Sequence, residues 1–201
     1  MKRITLAFTG ASGMGYGIRL LECLLRAGCR VDLLVSSAAR IVAKQELDLA
    51  LPGDTGELAA FFDARFAGHT GRLAAYGKEE WFAPAASGSN PADAMVVCPC
   101  TMGAVAAIAH GMADNLIERA ADVMLKEKRP LLLVPRETPF SLIHLRNLTQ
   151  LAEAGATILP ANPGFYHRPD SVEQVVDFIV ARVLDHLGVP HGLMARWGGE
   201  S

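Results

Sequence analysis

The segment that most constrains this chain lies near its start. Residues 4–9 form a short apolar run that feeds directly into Gly10-Ala11-Ser12-Gly13, and residues 16–27 follow with a helical pattern. An apolar run of that length closed by glycine predicts a buried strand and a turn. Ile18, Leu21 and Leu25 share one face of the predicted helix, and Gly28 ends it as a C-cap. Residues 31–35 predict a second strand, and Ser36 and Ser37 cap a helix running to about Leu47. A βαβα opening is the mark of a parallel sheet with right-handed crossovers, so the expected fold class is α/β, three layers, with helices on both faces.

The middle of the chain is harder to read. Residues 51–90 carry Pro52, Gly53, Gly56, Gly68, Gly71, Gly77, Pro84 and Gly88. They predict a short helix over 57–65, a weak strand over 73–76 and an irregular loop over 82–90. Loops of this length within a compact domain are usually functional. Regular order returns with a strand at 94–98, helices at 101–110 and 115–126, and a strand at 131–134. A helix at 141–154, a strand at 157–159, a Gly/Pro loop and a helix at 172–187 follow. Residues 188–201 read as an extended tail carrying Trp197. With no repeat and no linker, 201 residues suit one domain.

Composition excludes several classes. The chain is 51% hydrophobic, yet no stretch approaches the roughly 18 uninterrupted apolar residues of a spanning helix. The basic start is followed at once by glycines, with no signal-peptide apolar region. The apolar excess is expected in a doubly covered sheet and in a homo-oligomer interface. A net charge of −2 gives no footprint for nucleic acid. The four cysteines (23, 29, 98, 100) lack disulfide-framework spacing, which suits a reducing, cytoplasmic setting. Cys98-Pro99-Cys100 is neither a redox pair nor half of a zinc site and reads as structural. The six histidines make no H-x-x-x-H pair, and no metal is expected.

The first turn predicts an anion site. Backbone N–H groups at a strand–glycine–helix junction face outward, and Ser12 adds a hydroxyl donor. Gly13, Gly15 and Gly17 open the helix against propensity. The tenant is narrowed by what fails. The pattern G-x-G-x-x-G breaks because Ile18 stands where the third glycine belongs, and Ser36 and Ser37 stand where an acid for ribose is expected. Tyr16, Tyr76 and Tyr166 are followed four positions on by Leu20, Glu80 and Asp170, so no Tyr-x-x-x-Lys pair exists. There is no P-loop, and Met14 breaks the nucleophile elbow. A mononucleotide such as FMN remains.

Ionic groups gather at predicted element ends in the second half. Arg119 and Lys126 share a helix, Arg136-Glu137 follow a strand, Tyr166 lies in the Gly/Pro loop, and Arg182 interrupts an otherwise apolar helix. Four cations and a phenol can surround a second phosphate. The plain alternatives are local ion pairs: Arg119 with Asp122 or Glu118, a solvated helix end for Lys126, a salt bridge for Arg182. Trp81 and Trp197 also read as core or interface aromatics, and Glu46 as an exposed helix acid.

At these residues the chain resembles the UbiX-type flavin prenyltransferases. The matching stretches are Thr9-Gly10-Ala11-Ser12-Gly13, Cys98-Pro99-Cys100-Thr101, and Asn115-Leu116-Ile117-Glu118-Arg119-Ala120-Ala121-Asp122. Val134-Pro135-Arg136-Glu137-Thr138-Pro139 and Gly164-Phe165-Tyr166 continue the register, which runs from about Arg3 to Trp197. The departures are small. Met14-Gly15 and Thr101-Met102-Gly103 vary around the flavin, and Ser37 stands where a lysine is common.

The resemblance implies a flavodoxin/Rossmann-like fold and a homododecamer with FMN where subunits meet. It implies a metal-independent reaction that joins the dimethylallyl group of dimethylallyl monophosphate to N5 and C6 of reduced FMN. The prenylated FMN then serves a UbiD-type decarboxylase, usually in ubiquinone biosynthesis. By the same resemblance Gly10, Ala11, Ser12, Ser36, Thr101, Met102, Gly103, Ala104 and Arg136 contact FMN. Lys126, Arg136, Tyr166 and Arg182 hold the substrate phosphate, with Arg119 nearby. Glu137 handles a proton on that phosphate, Trp81 and Trp197 face the developing cation, and Glu46 with Ser12 manages the proton lost on ring closure. Two rival readings fit the sequence less well. A flavin-dependent cysteine decarboxylase acting on phosphopantothenoylcysteine carries a Pro-x-Met-Asn-x-x-Met-Trp motif that Asn162-Pro163-Gly164-Phe165 does not match. A non-enzymatic FMN carrier has no use for the second cation set.

Overall fold

The structure, a computed structural model, describes residues 1–194. Six strands form one parallel sheet: β1 (Arg3–Phe8), β2 (Arg30–Val35), β3 (Arg72–Tyr76), β4 (Ala94–Cys100), β5 (Leu131–Pro135) and β6 (Thr157–Ile158). Their spatial order is β3-β2-β1-β4-β5-β6, every neighbouring pair parallel. Seven α-helices complete it: α1 (Met14–Arg26), α2 (Ser37–Leu47), α3 (Thr55–Arg65), α4 (Met102–Ala109), α5 (Leu116–Lys126), α6 (Leu142–Glu153) and α7 (Val172–Leu187). The expected three-layer, doubly wound architecture is what the chain adopts. Boundaries fall within two residues of those read from the sequence, and a short 3₁₀ turn, Pro84–Ala86, lies inside the expected loop.

The two layers follow from strand alternation. Ile4, Leu6, Phe8, Val31, Leu33 and Val96 pack against α1, α2, α3 and α7. Ala7, Leu34, Met95, Val97, Leu131 and Leu133 pack against α4, α5 and α6. Both faces are covered, so the strands read as unbroken apolar runs. One strand changes phase. Cys98 lies on the α1 side and Cys100 on the α4 side, although two residues apart should share a face. A register shift between Val97 and Cys100 accounts for it, acting as a bulge that re-aims the strand end.

The amino edge of the sheet holds a buried charge. Asp32 is fully buried on β2 and pairs with Arg3 at 2.6 Å. Arg3 also donates to Asn90, and its backbone N–H bonds Asp93 at 2.8 Å, which ties the return of the long loop to β1. That loop runs back along α5. Leu116 N–H donates to the Lys78 carbonyl at 2.8 Å, and Arg119 Nε donates to the Ala86 carbonyl at 3.0 Å.

Candidate active site

In doubly wound sheets ligands bind beyond the carboxyl ends of strands where the order reverses. Here that point lies between β1 and β4. Thr9, buried just after β1, staples the two strand ends together. Its hydroxyl donates to the Pro99 carbonyl at 2.8 Å and accepts from Thr101 N–H at 2.8 Å. Ser36 caps α2 by accepting from Ala39 N–H at 3.1 Å, and Thr101 caps α4 by accepting from Ala104 N–H at 3.0 Å. Both caps open onto a cleft of about 240 Å³ that Gly10, Ser37, Ala38 and Ala104 also line. The first N–H groups of a helix have no partner within it, so two helix starts present donors here. This fits an anionic group such as the phosphate of a mononucleotide. Gly10 shapes the cleft by close approach: a Cβ there would lie 2.5 Å from the Ala38 Cβ.

The start of α1 is different. Its Gly13 and Met14 N–H groups, which the sequence offers to a phosphate, are engaged by a protein carboxylate. Glu46, near the end of α2, accepts from Gly13 at 3.0 Å and from Met14 at 2.9 Å. Glu46 thus meets the backbone of the turn one residue beyond Ser12. Ser12 itself is exposed and Ala11 is buried. The three helix glycines also separate by cause. Gly13 sits at φ 101° and Gly17 lies against the Cys98 carbonyl and the Phe8 ring, whereas the nearest atom to a Cβ on Gly15 is 3.9 Å away.

Arg136 follows β5 beside the end of β4, its backbone N–H directed at the Cys100 carbonyl. Among the described residues its Nε is a buried atom without a hydrogen-bond partner. A buried guanidinium N–H left open costs free energy unless something fills it, and a carboxylate or phosphate is the usual partner. Glu137 is half-buried next to it and accepts from Thr138 N–H at 3.2 Å.

The other cations lie elsewhere. Arg119 pairs with Asp122 at 2.8 Å, Lys126 with Glu127 at 2.6 Å, and Arg182 with Asp185 at 2.7 Å. These are the plain alternatives the sequence offered. Lys126 ends α5 at the amino edge of the sheet, so the five residues of β5, about 16 Å of strand, separate its level from that of Arg136. Arg182 lies far along α7, whose last carbonyl, Leu187, takes a hydrogen bond from Lys2 at the same amino edge. Within one chain Lys126 and Arg182 are thus not assembled with Arg136. Tyr166 and Trp81 are on the surface, 86% and 45% exposed. Met102 is buried and Gly103 exposed at the first turn of α4. Trp197 lies outside the described residues.

The sequence reading missed Lys78, Asn115 and Glu118, which line the same cleft. Lys78 sits in the long loop with no periodicity to place it. Asn115 is legible as a cap, and accepts from Ile117 and Glu118 N–H. A cleft of about 590 Å³ opens at the amino ends of β5 and β6 among Lys128, Arg129 and His186, away from the switch point. Among the described residues no group of His, Cys, Asp and Glu is arranged to hold a metal, and no helix is long and apolar enough to cross a membrane.

The family model described as Flavoprotein matches residues 1–184. The chain is 53% identical over 199 residues to the flavin prenyltransferase UbiX of Pseudomonas aeruginosa, covering 99% of this chain and 95% of that one. It belongs to the UbiX flavin prenyltransferase family. The flavin prenyltransferase of Methanothermobacter thermautotrophicus is 46% identical across 100% of this chain and 97% of its own. The structure is similar to a crystal structure of AnUbiX (PadA1) in complex with FMN and dimethylallyl pyrophosphate. The TM-score is 0.87 at 40% identity, over 100% and 99% of the two chains. It is also similar to a dodecameric FMN-dependent UbiX-like decarboxylase from Escherichia coli O157:H7. There the TM-score is 0.84 at 37% identity, over 98% of this chain and 100% of that one. A phosphopantothenoylcysteine (PPC) decarboxylase shares the fold alone, at 18% identity and a TM-score of 0.61. The rival cysteine-decarboxylase reading thus meets this flavin prenyltransferase at the level of architecture only.

Proposed function

We propose that this chain, as a flavin prenyltransferase, joins the dimethylallyl group of dimethylallyl monophosphate to N5 and C6 of reduced FMN. The observation that carries this reading is relatedness along the whole chain, 53% over 199 residues to an enzyme of that name. The open Arg136 Nε beside Glu137 supports it, because an FMN carrier needs no second anion site.

Bound reduced FMN supplies a nucleophilic nitrogen and an aromatic face. The chain's own residues do the rest. Ser36, Thr101, Met102, Gly103 and Ala104 present helix-start amides and hydroxyls and, with Gly10 and Ala11 of the first turn, would orient the flavin. Arg136 binds substrate phosphate through its open N–H, and Lys126, Tyr166 and Arg182 add charge and a hydroxyl. Fixed cations aimed at a departing phosphate lower the barrier most where water is excluded, which is the task a metal performs in other prenyl transfers. Glu137 moves a proton at the phosphate oxygen, and Trp81 presents its face to the allyl cation. Glu46 and Ser12 take the proton released on ring closure. On this reading Lys126 and Arg182 come from neighbouring copies, which their separation from Arg136 along the sheet supports, and Arg119 holds the loop that carries Trp81. A homo-oligomer, dodecameric as in the E. coli neighbour, is part of this reading. So are a single domain over residues 1–201, a cytoplasmic setting suited to four free thiols, and a UbiD-type decarboxylase as recipient of the product.

The test is direct. The protein is incubated with reduced FMN and dimethylallyl monophosphate, without added metal, and the released flavin is weighed by mass spectrometry. A flavin heavier by one prenyl unit is expected. An unchanged flavin from folded, FMN-loaded protein overturns the reading.

A further inference from the structure

Among the described residues, the cleft at the switch point has one positively charged side chain in its wall. Lys78 lines it together with Ser36, Ser37 and Thr101, opposite the start of α2. Glu118, an acid of the same wall, is turned to its own helix start, where it accepts from Asp114 N–H at 2.9 Å. The backbone of Lys78 is fixed, because its carbonyl takes the Leu116 N–H at the start of α5. The head group is not. Its ion pair is with Glu79, at 3.4 Å between side chains 65% and 72% exposed. An exposed pair of this kind contributes little and is readily exchanged for a better anion. A flexible four-carbon stem allows that exchange.

We propose that Lys78 is a binding residue of this site: its ammonium holds the phosphate of FMN seated on the starts of α2 and α4. The proposal rests on the reading that this cleft takes FMN. Ser37, at the start of α2, stands on the wall of the same cleft as Lys78 and carries no charge, so the loop supplies it. Lys78 thus sets affinity for the phosphorylated flavin and has no part in holding the ring.

The test uses the full chain freed of flavin, titrated with FMN and with riboflavin and followed by quenching of flavin fluorescence. Lys78→Gln should weaken FMN binding about tenfold, the order expected for one charge-assisted contact to phosphate, and leave riboflavin binding unchanged. The salt dependence of FMN binding should flatten with it. Adding Ser37→Lys to that variant should recover most of the lost FMN affinity. Equal weakening of both flavins would assign Lys78 to loop packing and overturn the proposal, as would FMN binding that does not move. Failure of the unaltered chain to bind FMN at all would instead overturn the functional reading, and this proposal with it. Thermal midpoints of the flavin-free variants should match that of the unaltered chain, since the side chain is exposed.

Discussion

Gly17 packs the first helix onto the sheet so closely that a Cβ would lie 2.5 Å from the Cys98 carbonyl oxygen and 2.8 Å from the Phe8 ring. Read along the sequence, it is one of three glycines beside a turn, and all three suggest room for a phosphate. Only β4, three strands further along the chain, shows that Gly17 serves helix–sheet contact. Sequence spacing carries local geometry well, which is why the glycine turn at Gly13, the cap Ser36 and the end at Gly28 are legible. It does not carry what a residue meets across the fold. Gly17→Ala should therefore destabilise the protein by about 2 kcal/mol, as overpacking does in a close-packed interior. Gly15→Ala, with its nearest neighbour 3.9 Å away, should be neutral or stabilise by about 0.5 kcal/mol through helix propensity. Urea midpoints measure both, and equal effects would refute the distinction.

Among the elements, β4 shows most plainly where reading by pattern stops. The sequence predicts its end at Cys98, but the strand continues through Pro99 to Cys100 and changes face on the way. A strand buried on both sides has no polar alternation, so nothing in the residues marks the phase shift. The long loop along α5 is illegible for a related reason: carbonyls at Lys78 and Ala86, not side chains of a pattern, hold it. The phase shift leaves two thiols buried on opposite faces. Burial pushes Cys100 from 9.0 up to about 12, and burial together with Cys98–Cys100 repulsion pushes Cys98 higher still. Their folded values lie above the ordinary one, so the native state holds the protons longer. The stability this gives is fully present below pH 9 and is lost as pH rises from there through about 12. Unfolding midpoints should accordingly fall across the alkaline range, and less steeply in a Cys98→Ala/Cys100→Ala variant. A thiol reagent at neutral pH should leave both unlabelled until the chain is unfolded.

At the scale of the whole molecule, the sequence names cations but not which copy supplies them. Arg136 stands at the carboxyl edge, and Lys126 and Arg182 lie toward the amino edge of the same sheet. Apolar side chains left on the surface, among them Ile41, Phe82, Leu142, Ile143, Phe165 and Val172, are the fraction of the 51% hydrophobic content that one copy does not bury. An interface between copies would cover such side chains. The length of β5 between Lys126 and Arg136 has a genetic consequence. Two defective alleles, one altered at each position, should complement each other. Lys126→Ala and Arg136→Ala proteins, each inactive alone, should regain about a quarter of full activity when co-expressed at equal levels, because one site in four of a randomly mixed oligomer inherits both intact partners. Co-expression without any recovery would mean that one polypeptide provides both charges.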